Sequence, residues 1–314
     1  FPVFFAVIEN DMRRVLAYSL NNQLGFMVVA IGIGTDLAIN GAVAHAFAHI
    51  IYKGLLFMSM GAVLYRVGTV KASELGGLYK SMPLTMVFCI IGAMSISAFP
   101  LFSGFAAKSL IMSALGYKGL IAAYLVLLAA SAGVLHHSGI KIPYFAFFGH
   151  DGGHKVKEAP FGMLVAMAGA SALCIGIGSF PAIFYQILPY SIDYNPYDAS
   201  HVLGQMELLI FSMLAFTFLM RFGFYPPELK STVLNTDWLY RRVAVWGGRP
   251  ILLAVMTFWN SAMRAIAGYR DAIWQTVERL AHAPITGPTR PGRAVMVQTA
   301  LLAALLAIGY LVAG

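Results

Sequence analysis

The sequence predicts an all-α integral membrane protein of about seven transmembrane helices, and three features indicate it: the composition, the long apolar runs and the placement of the basic residues. Of the 314 residues, 59% are hydrophobic and 11% are charged, whereas a soluble domain has roughly 25% charged residues. A chain this apolar cannot cover itself with polar surface, so we expect lipid to be its solvent. Runs that approach the about 20 apolar residues of a bilayer span lie near 15–33, 39–65, 84–114, 119–148, 161–188, 203–222 and 295–313.

The basic residues divide sharply between the two ends of these spans. If successive spans alternate in direction, 17 of the 21 Lys and Arg residues fall on the side of the N-terminus. The opposite side receives only Lys118, together with Asp36, Asp193 and Asp198. Because cytoplasmic loops carry the excess of Lys and Arg, we expect the N-terminus and the basic loops to be cytoplasmic. The net charge of +8 is then a topology signal, and we expect no nucleic-acid partner.

A basic region at 223–294 differs from the spans. Its longest apolar run, 251–263, has the length of an interfacial or buried helix. The stretch 238–282 mixes six arginines with all four tryptophans of the chain. Tryptophan and arginine are both typical of helices at the membrane surface. We therefore expect an amphipathic helix or helix pair there, followed by a C-terminal transmembrane helix at 295–314.

Two histidines and a lysine share the second span. His45, His49 and Lys53 are four residues apart, so on a helix they line one face over two turns. A lysine at the bilayer centre costs roughly 2.5–3.5 kcal/mol, and we expect Lys53 to face a hydrated interior. Imidazole can accept a proton on one nitrogen while it donates from the other, which favours a relay. A structural role for either histidine stays open. We expect no metal site, because no third ligand lies nearby.

A second lysine follows a break in the third span. Pro100 cannot donate to the carbonyl of residue 96, and Gly104 loosens the next turn. A long apolar segment broken in its middle, with Lys108 just past the break, is typical of discontinuous transporter helices. The freed backbone groups provide local polarity where a charge can rest. The alternative is a simple proline kink, with Lys108 reaching toward the headgroups.

Weaker candidates lie on other spans. His136, His137 and Lys141 form a secondary group on the fourth span, either as a proton inlet or outlet or, equally, with Lys141 snorkelling to the surface. The cluster 21–23 is polar enough to hold water or, as we expect, to bridge helices. Cys89 and Cys174 lie in apolar runs and are interpreted as small core residues.

Three stretches, 11–19, 45–57 and 100–108, resemble the antiporter-like subunits shared by respiratory complex I and Mrp-type cation/proton antiporters. The resemblance covers roughly 1–150 and implies the second of two inverted five-helix repeats, with the first repeat upstream of Phe1. It also implies that Lys53 and Lys108 are the channel lysines and that His45 and His49 form the relay between them. Further stretches at 76–85, 95–105 and 237–241 resemble the D-type Mrp subunit.

The resemblance thus implies a subunit of a multisubunit monovalent cation/proton antiporter in a bacterial inner membrane. Its partners would be other membrane subunits, protons and Na⁺ or K⁺. We expect no cofactor, since no nucleotide, flavin or iron–sulfur motif occurs. Two alternatives stay open: a proton-pumping subunit of an NADH–quinone oxidoreductase or membrane-bound hydrogenase complex, and a scaffold that anchors partners through the basic segment. The expected domains are the repeat at 1–150, additional helices at 151–222, the interfacial region at 223–294 and the last span at 295–314.

Overall fold

The computed structural model describes residues 1–225, 228, 233, 237–281, 295, 298–304 and 306. The chain divides into two compact units, Phe1–Val233 and Leu234–Gly314. Every named element in the described residues is a helix. Six of the described helices are long and apolar enough to cross a membrane. The predicted all-α membrane fold is therefore confirmed.

The first unit contains nine helices among its described residues. Two short 3₁₀ turns also lie between α3 and α4. The helices are α1 (Pro2–Ile8), α2 (Met12–Ile33), α3 (Asp36–Val67), α4 (Pro83–Ile96), α5 (Ser103–Tyr117), α6 (Ile121–Phe148), α7 (Phe161–Ser179), α8 (Pro181–Tyr185) and α9 (Ala199–Arg221).

Most expected spans agree with these bounds to within a few residues. The expected span 161–188 is an exception, because α7 ends at Ser179 and Pro181 begins the separate short helix α8. The proline can start a helix but cannot donate a backbone hydrogen bond to continue one. The expected break within 84–114 is present, since α4 ends at Ile96 and α5 begins at Ser103.

Capping residues fix the ends of the first two long helices. The Asp11 side chain accepts hydrogen bonds from the backbone N–H groups of Arg13 and Arg14 and so starts α2. The Thr35 hydroxyl accepts from the N–H group of Ala38 and starts α3. Each helix is followed by a glycine in the left-handed conformation, Gly34 and Gly68, which a residue with a side chain rarely adopts.

Helix α3 is the centre of the first unit and packs against α2, α4, α5 and α7. Small residues let the helices approach closely, as is common between membrane helices. A Cβ atom at Gly41 of α3 would lie 2.8 Å from the Cγ1 atom of Ile111 on α5. The buried polar residues of α3 are therefore surrounded by neighbouring helices. Lys53 and its two histidines lie within this enclosed region.

Helix α6 is not a uniform α-helix. It changes to π-helical geometry over Leu135–Ile140 and again over Tyr144–Phe148. Such widened turns are uncommon and frequently occur at functional sites. The first of them carries His136 and His137, and Lys141 follows immediately.

The second unit contains a long helix, α10 (Ala244–Ala281), preceded by a π-helical turn at Leu239–Val243. Residues 238–281 are helical, as expected, and residue 282 lies outside the described residues. The alternative of a helix pair is wrong, because α10 continues through Pro250. At 38 residues it is about 57 Å long, and by length and composition it also qualifies as a membrane span. Its surface location therefore stays a prediction.

The expected last span, 295–313, lies largely outside the described residues. Residues 295, 298–304 and 306 are helical. Both cysteines, Cys89 and Cys174, are free and buried in the core of the first unit, which confirms their interpretation as core residues.

Candidate functional site

The three predicted residues of α3 lie on one buried face. Lys53 is 3% exposed, His45 is fully buried and His49 is 6% exposed. The two imidazole rings are nearly parallel, with centroids 6.3 Å apart, as the four-residue spacing requires. The Nζ atom of Lys53 has no hydrogen-bond partner among the described residues.

Helix α2 supplies a polar partner for this face. The Nε2 atom of His45 lies 2.9 Å from the Oε1 atom of Gln23. An amide oxygen can only accept, so Nε2 carries the proton and the Nδ1 atom is free to accept another. The Tyr52 hydroxyl donates to the same oxygen over 3.3 Å. The expectation that the polar cluster 21–23 bridges helices is correct for Gln23.

The break between α4 and α5 positions Lys108. Its Nζ atom donates a hydrogen bond of 2.9 Å to the carbonyl oxygen of Ile96. This oxygen has no backbone donor from a following helical turn, because Ile96 is the last residue of α4. The ammonium also lies 5.0 Å from the ring centre of Phe26, within the range of a cation–π contact. Lys108 is only 4% exposed. The alternative in which Lys108 reaches toward the headgroups is therefore wrong.

The backbone conformation at the break differs from the one expected from Pro100 and Gly104. Ala98 and Leu101 adopt positive φ angles of 58° and 72°, which are unfavourable for residues with a side chain. Gly104 lies inside α5 and does not loosen a turn. Instead, a Cβ atom at Gly104 would lie 1.8 Å from the carbonyl oxygen of Ser95. Gly104 is required for close approach of the two half-helices.

A tyrosine outside the two half-helices hydrogen-bonds to the segment between them. The Tyr197 hydroxyl donates to the carbonyl oxygen of Gly178 and accepts from the backbone N–H of Leu101 over 3.1 Å. Tyr197 thereby connects α7 to the segment between the half-helices. Pro100 lies in this segment, in a turn.

The lysines and histidines of α3 and α5 form one electrostatically connected group. The Phe26 ring contacts both Lys108 and His45, with its centre 5.7 Å from the imidazole centre. Lys53 is close enough to Lys108 for their ammonium groups to repel each other, and His49 is close to both lysines. Because like charges disfavour one another, a proton arriving at one position weakens binding at the next.

Helix α6 adds His137 and Lys141 but directs His136 elsewhere. His137 is fully buried and lies within electrostatic range of Lys53 and Lys141. Its Nδ1 atom lies 2.8 Å from the Ser138 hydroxyl, which donates to Ser19. His136 instead packs against Phe216 of α9. The structure therefore brings two of the three secondary candidates to the interior.

Lys141 does not snorkel. Its Nζ atom donates to the carbonyl oxygens of Val7 and Glu9 over 2.6 and 2.7 Å and lies 2.9 Å from the Oε1 atom of Glu228. The side chain is fully buried. The alternative of a surface-directed Lys141 is therefore wrong.

Sequence reasoning missed both acidic residues at this end, Glu9 and Glu228. Glu9 is buried although it lies in a connection between two helices. Burial raises the pKa of the Glu228 carboxyl, and the neighbouring Lys141 opposes this shift. The sequence position of Glu9 could have indicated its burial, because Glu9 directly follows the apolar run 1–8. No sequence feature indicated the role of Glu228, since only folding brings it to Lys141.

Within the part of the chain that the structure describes, no group of three or more His, Cys, Asp or Glu residues is placed to hold a metal ion. The interior chemistry is that of protonable nitrogens, hydroxyl groups and free carbonyl oxygens. Imidazole can accept a proton on one nitrogen and release one from the other, whereas the carbonyl oxygens only accept hydrogen bonds.

Residues 2–135 match the family model described as NADH:quinone oxidoreductase/Mrp antiporter, transmembrane. This range contains the α3 face, the break and Lys108. The resemblance expected from the sequence is confirmed.

Three known proteins are similar to this chain in sequence or in fold. The chain is 38% identical over 164 residues to the D-type subunit of the Na⁺/H⁺ antiporter of Alkalihalophilus pseudofirmus, which covers 51% of this chain and 32% of that protein. It is 32% identical over 153 residues to NADH-ubiquinone oxidoreductase chain 5 of Hippopotamus amphibius, covering 48% and 25%. A chain of an archaeal respiratory complex, the membrane-bound sulfane sulfur reductase, shares the fold with a TM-score of 0.58 at 23% identity, covering 97% and 54%.

The chain therefore spans about a third or less of the length of these two curated relatives. The two relatives are an antiporter subunit and a respiratory subunit. Antiporter and respiratory relatives are both present, so the family alone does not choose between them.

Proposed function

We propose that this chain is a proton-translocating membrane subunit of a multisubunit monovalent cation/proton antiporter, similar to the D-type Mrp subunit. The observation that carries the proposal is the buried series Lys108, His45, His49 and Lys53, enclosed by four helices and connected to Gln23 and Phe26. Ionisable residues inside a membrane are costly and are functional by default.

Protons would move along this series at mid-membrane depth. Lys108 rests against the Ile96 carbonyl and can exchange a proton with His45, whose Nδ1 atom is free. His49 lies beside it and Lys53 one turn further on. Repulsion between the two ammonium groups disfavours simultaneous loading and so drives a proton onward.

His137 and Lys141 would extend the route toward the basic loops. The partners expected of such a subunit are other membrane subunits, protons and Na⁺ or K⁺. The positive-inside pattern favours a cytoplasmic location for these loops, and the membrane of the proposal is a bacterial inner membrane.

The 38% identity to the D-type antiporter subunit supports the antiporter interpretation. A proton-pumping subunit of a redox complex is the second candidate, and the similarity to NADH-ubiquinone oxidoreductase chain 5 favours it. In both cases the same residues carry protons. The two candidates differ in the process to which proton movement is coupled, which is cation exchange in one and electron transfer in partner subunits in the other.

Inverted membrane vesicles separate these candidates. The protein is expressed from its native locus with the neighbouring genes, as wild type and as Lys53→Ala, and an acidity-sensitive dye reports the pH gradient. We expect Na⁺ or K⁺ salt to collapse a preformed gradient in the wild type and not in the variant. Lys80→Ala is the control and should behave as the wild type, because Lys80 is an exposed residue of a 3₁₀ turn.

A gradient built by NADH or another reductant, weakened by Lys53→Ala and unaffected by cations, would favour the redox complex. Equal behaviour of wild type and Lys53→Ala in both assays, with equal amounts of protein in the membrane, would disprove the role of Lys53.

A further inference from the structure

A second group of hydrogen-bonded side chains lies at the opposite end of the first unit from the basic loops. It consists of Ser113 on α5, Tyr194 and Asp198 before α9, and His201 in the first turn of α9. None of these residues belongs to the Lys/His series described above, and Tyr194, Asp198 and His201 lie beyond the family range 2–135.

The contacts in this group are short and continuous. The Nε2 atom of His201 lies 2.7 Å from the Ser113 hydroxyl, which lies 2.8 Å from the Tyr194 hydroxyl. On its other side, the Nδ1 atom of His201 lies 2.6 Å from the Oδ2 atom of Asp198. One imidazole therefore connects a hydroxyl inside the protein to a carboxylate outside it.

Hydroxyl groups continue the line toward Lys108. The Tyr194 hydroxyl faces both Ser109 and Ser113, which lie one turn apart on α5. Ser109 is adjacent to Lys108 in the chain, and its hydroxyl shares the carbonyl oxygen of Ala106 with the Tyr185 hydroxyl. Adjacent residues of a helix point to different sides, so a proton would have to cross from Lys108 to the Ser109 hydroxyl through a bridging water.

Exposure increases along the line in the direction of Asp198. Ser109 and Ser113 are buried, whereas the side chains of His201 and Asp198 are 25% and 50% exposed. Hydrogen bonds from the His201 backbone N–H and the Ser200 hydroxyl lower the pKa of Asp198 to about 2. Asp198 is therefore a carboxylate at neutral pH and holds the Nδ1 side of the ring in one orientation.

We propose that Ser109, Tyr194, Ser113 and His201 form the proton outlet of this chain on the membrane face opposite the basic loops, with Asp198 as a positioning residue. The proposal rests on the proposed function, because it supplies the path between Lys108 and water. In each transfer a hydroxyl or imidazole accepts a proton on one side and releases another from the other side. No bond other than O–H or N–H is made or broken.

The same three residue types, Ser, His and Asp, also occur in hydrolases. A nucleophilic role is disfavoured here because the Ser113 hydroxyl is buried in a membrane helix and engaged by Tyr194. An aqueous substrate would have no access to it. Proton transfer needs no such access, since only protons pass.

Chemical rescue tests the outlet. Right-side-out vesicles are prepared with the complete complex, in which this chain is wild type, His201→Ala, Ser113→Ala or the control His150→Ala. His150 is a suitable control because it is an exposed histidine on the side of the basic loops. We expect His201→Ala and Ser113→Ala to lower cation-coupled proton transport by at least about tenfold, the scale of one lost proton-transfer group. Imidazole added outside should restore much of the rate in His201→Ala only, since a small base replaces the missing ring. The control should match the wild type.

A merely structural His201 would give a loss that imidazole does not restore, and this result would overturn the proposal. Wild-type rates in both Ser113→Ala and His201→Ala, with Lys53→Ala inactive, would overturn the outlet while the proposed function stands. Imidazole-dependent rescue with Lys53→Ala fully active would support the outlet and overturn the role of Lys53 instead.

Discussion

The Nζ atom of Lys108 donates a hydrogen bond of 2.9 Å to the carbonyl oxygen of Ile96, the last residue of α4. The break in the helix thus provides the acceptor that holds the buried ammonium. A continuous helix would use this oxygen for its own backbone. The discontinuity and the lysine are therefore one functional arrangement, and the break does more than bend the span.

Gly104→Ala should disrupt this arrangement. The added Cβ atom would lie 1.8 Å from the Ser95 carbonyl oxygen, a backbone atom that cannot move without shifting α4. We expect a loss of about 1–3 kcal/mol or more, measured as a lower thermal unfolding midpoint of the purified complex.

Gly116→Ala on the same helix is the matched control, because nothing lies within 4 Å of its Cβ position. It should be neutral or slightly stabilising. An unchanged midpoint for Gly104→Ala would contradict the close approach of the half-helices.

Gln23→Leu should slow proton transport without loss of assembly. It removes the oxygen that accepts from both His45 and Tyr52, and the unsatisfied buried groups cost about 1–3 kcal/mol. This corresponds to roughly tenfold in the rate of a step that uses His45.

Asn21→Leu is the control for Gln23→Leu, since Asn21 is exposed on the same helix. Dye quenching in vesicles with equal protein content reports both variants. Equal rates for Gln23→Leu and wild type would show that His45 does not depend on this bond.

Lys141→Met should destabilise the protein strongly. The variant leaves Glu228 without its ion-pair partner and frees the carbonyl oxygens of Val7 and Glu9. Breaking a buried ion pair costs about 3–5 kcal/mol. Thermal unfolding should show a large decrease for Lys141→Met.

The comparison variants are Glu228→Gln and Lys80→Met. Glu228→Gln should show a smaller decrease than Lys141→Met, because Lys141 then keeps its two carbonyl partners. The exposed Lys80→Met should be close to wild type. If all three variants unfold at the same temperature, the buried contacts of Lys141 do not stabilise the protein.

The parts of the site that were predictable from the sequence depend on local spacing. His45, His49 and Lys53 follow helical periodicity, and Pro100 marks the break, so their shared face and the interrupted helix were expected. Lys108 was expected near freed carbonyl groups, and Ile96 proved to be the acceptor.

The remaining parts depend on contacts between distant segments. Lys141 and Val7 are 134 residues apart, and Ser113 and His201 are 88 apart. No periodic pattern specifies such pairs, since they arise only when helices pack. For the same reason the role of Gly104 was misjudged: its closest neighbour is the Ser95 carbonyl, which sequence alone does not place.

The most direct test of the central claim compares Lys53→Arg with wild type and Lys53→His in the same vesicles. Arginine keeps a positive charge at this position but does not release its proton, whereas histidine can. We expect normal assembly of all three proteins, proton transport below about a tenth of wild type in Lys53→Arg, and partial transport in Lys53→His. Wild-type transport in Lys53→Arg would show that a fixed charge is sufficient and would contradict proton transfer through Lys53.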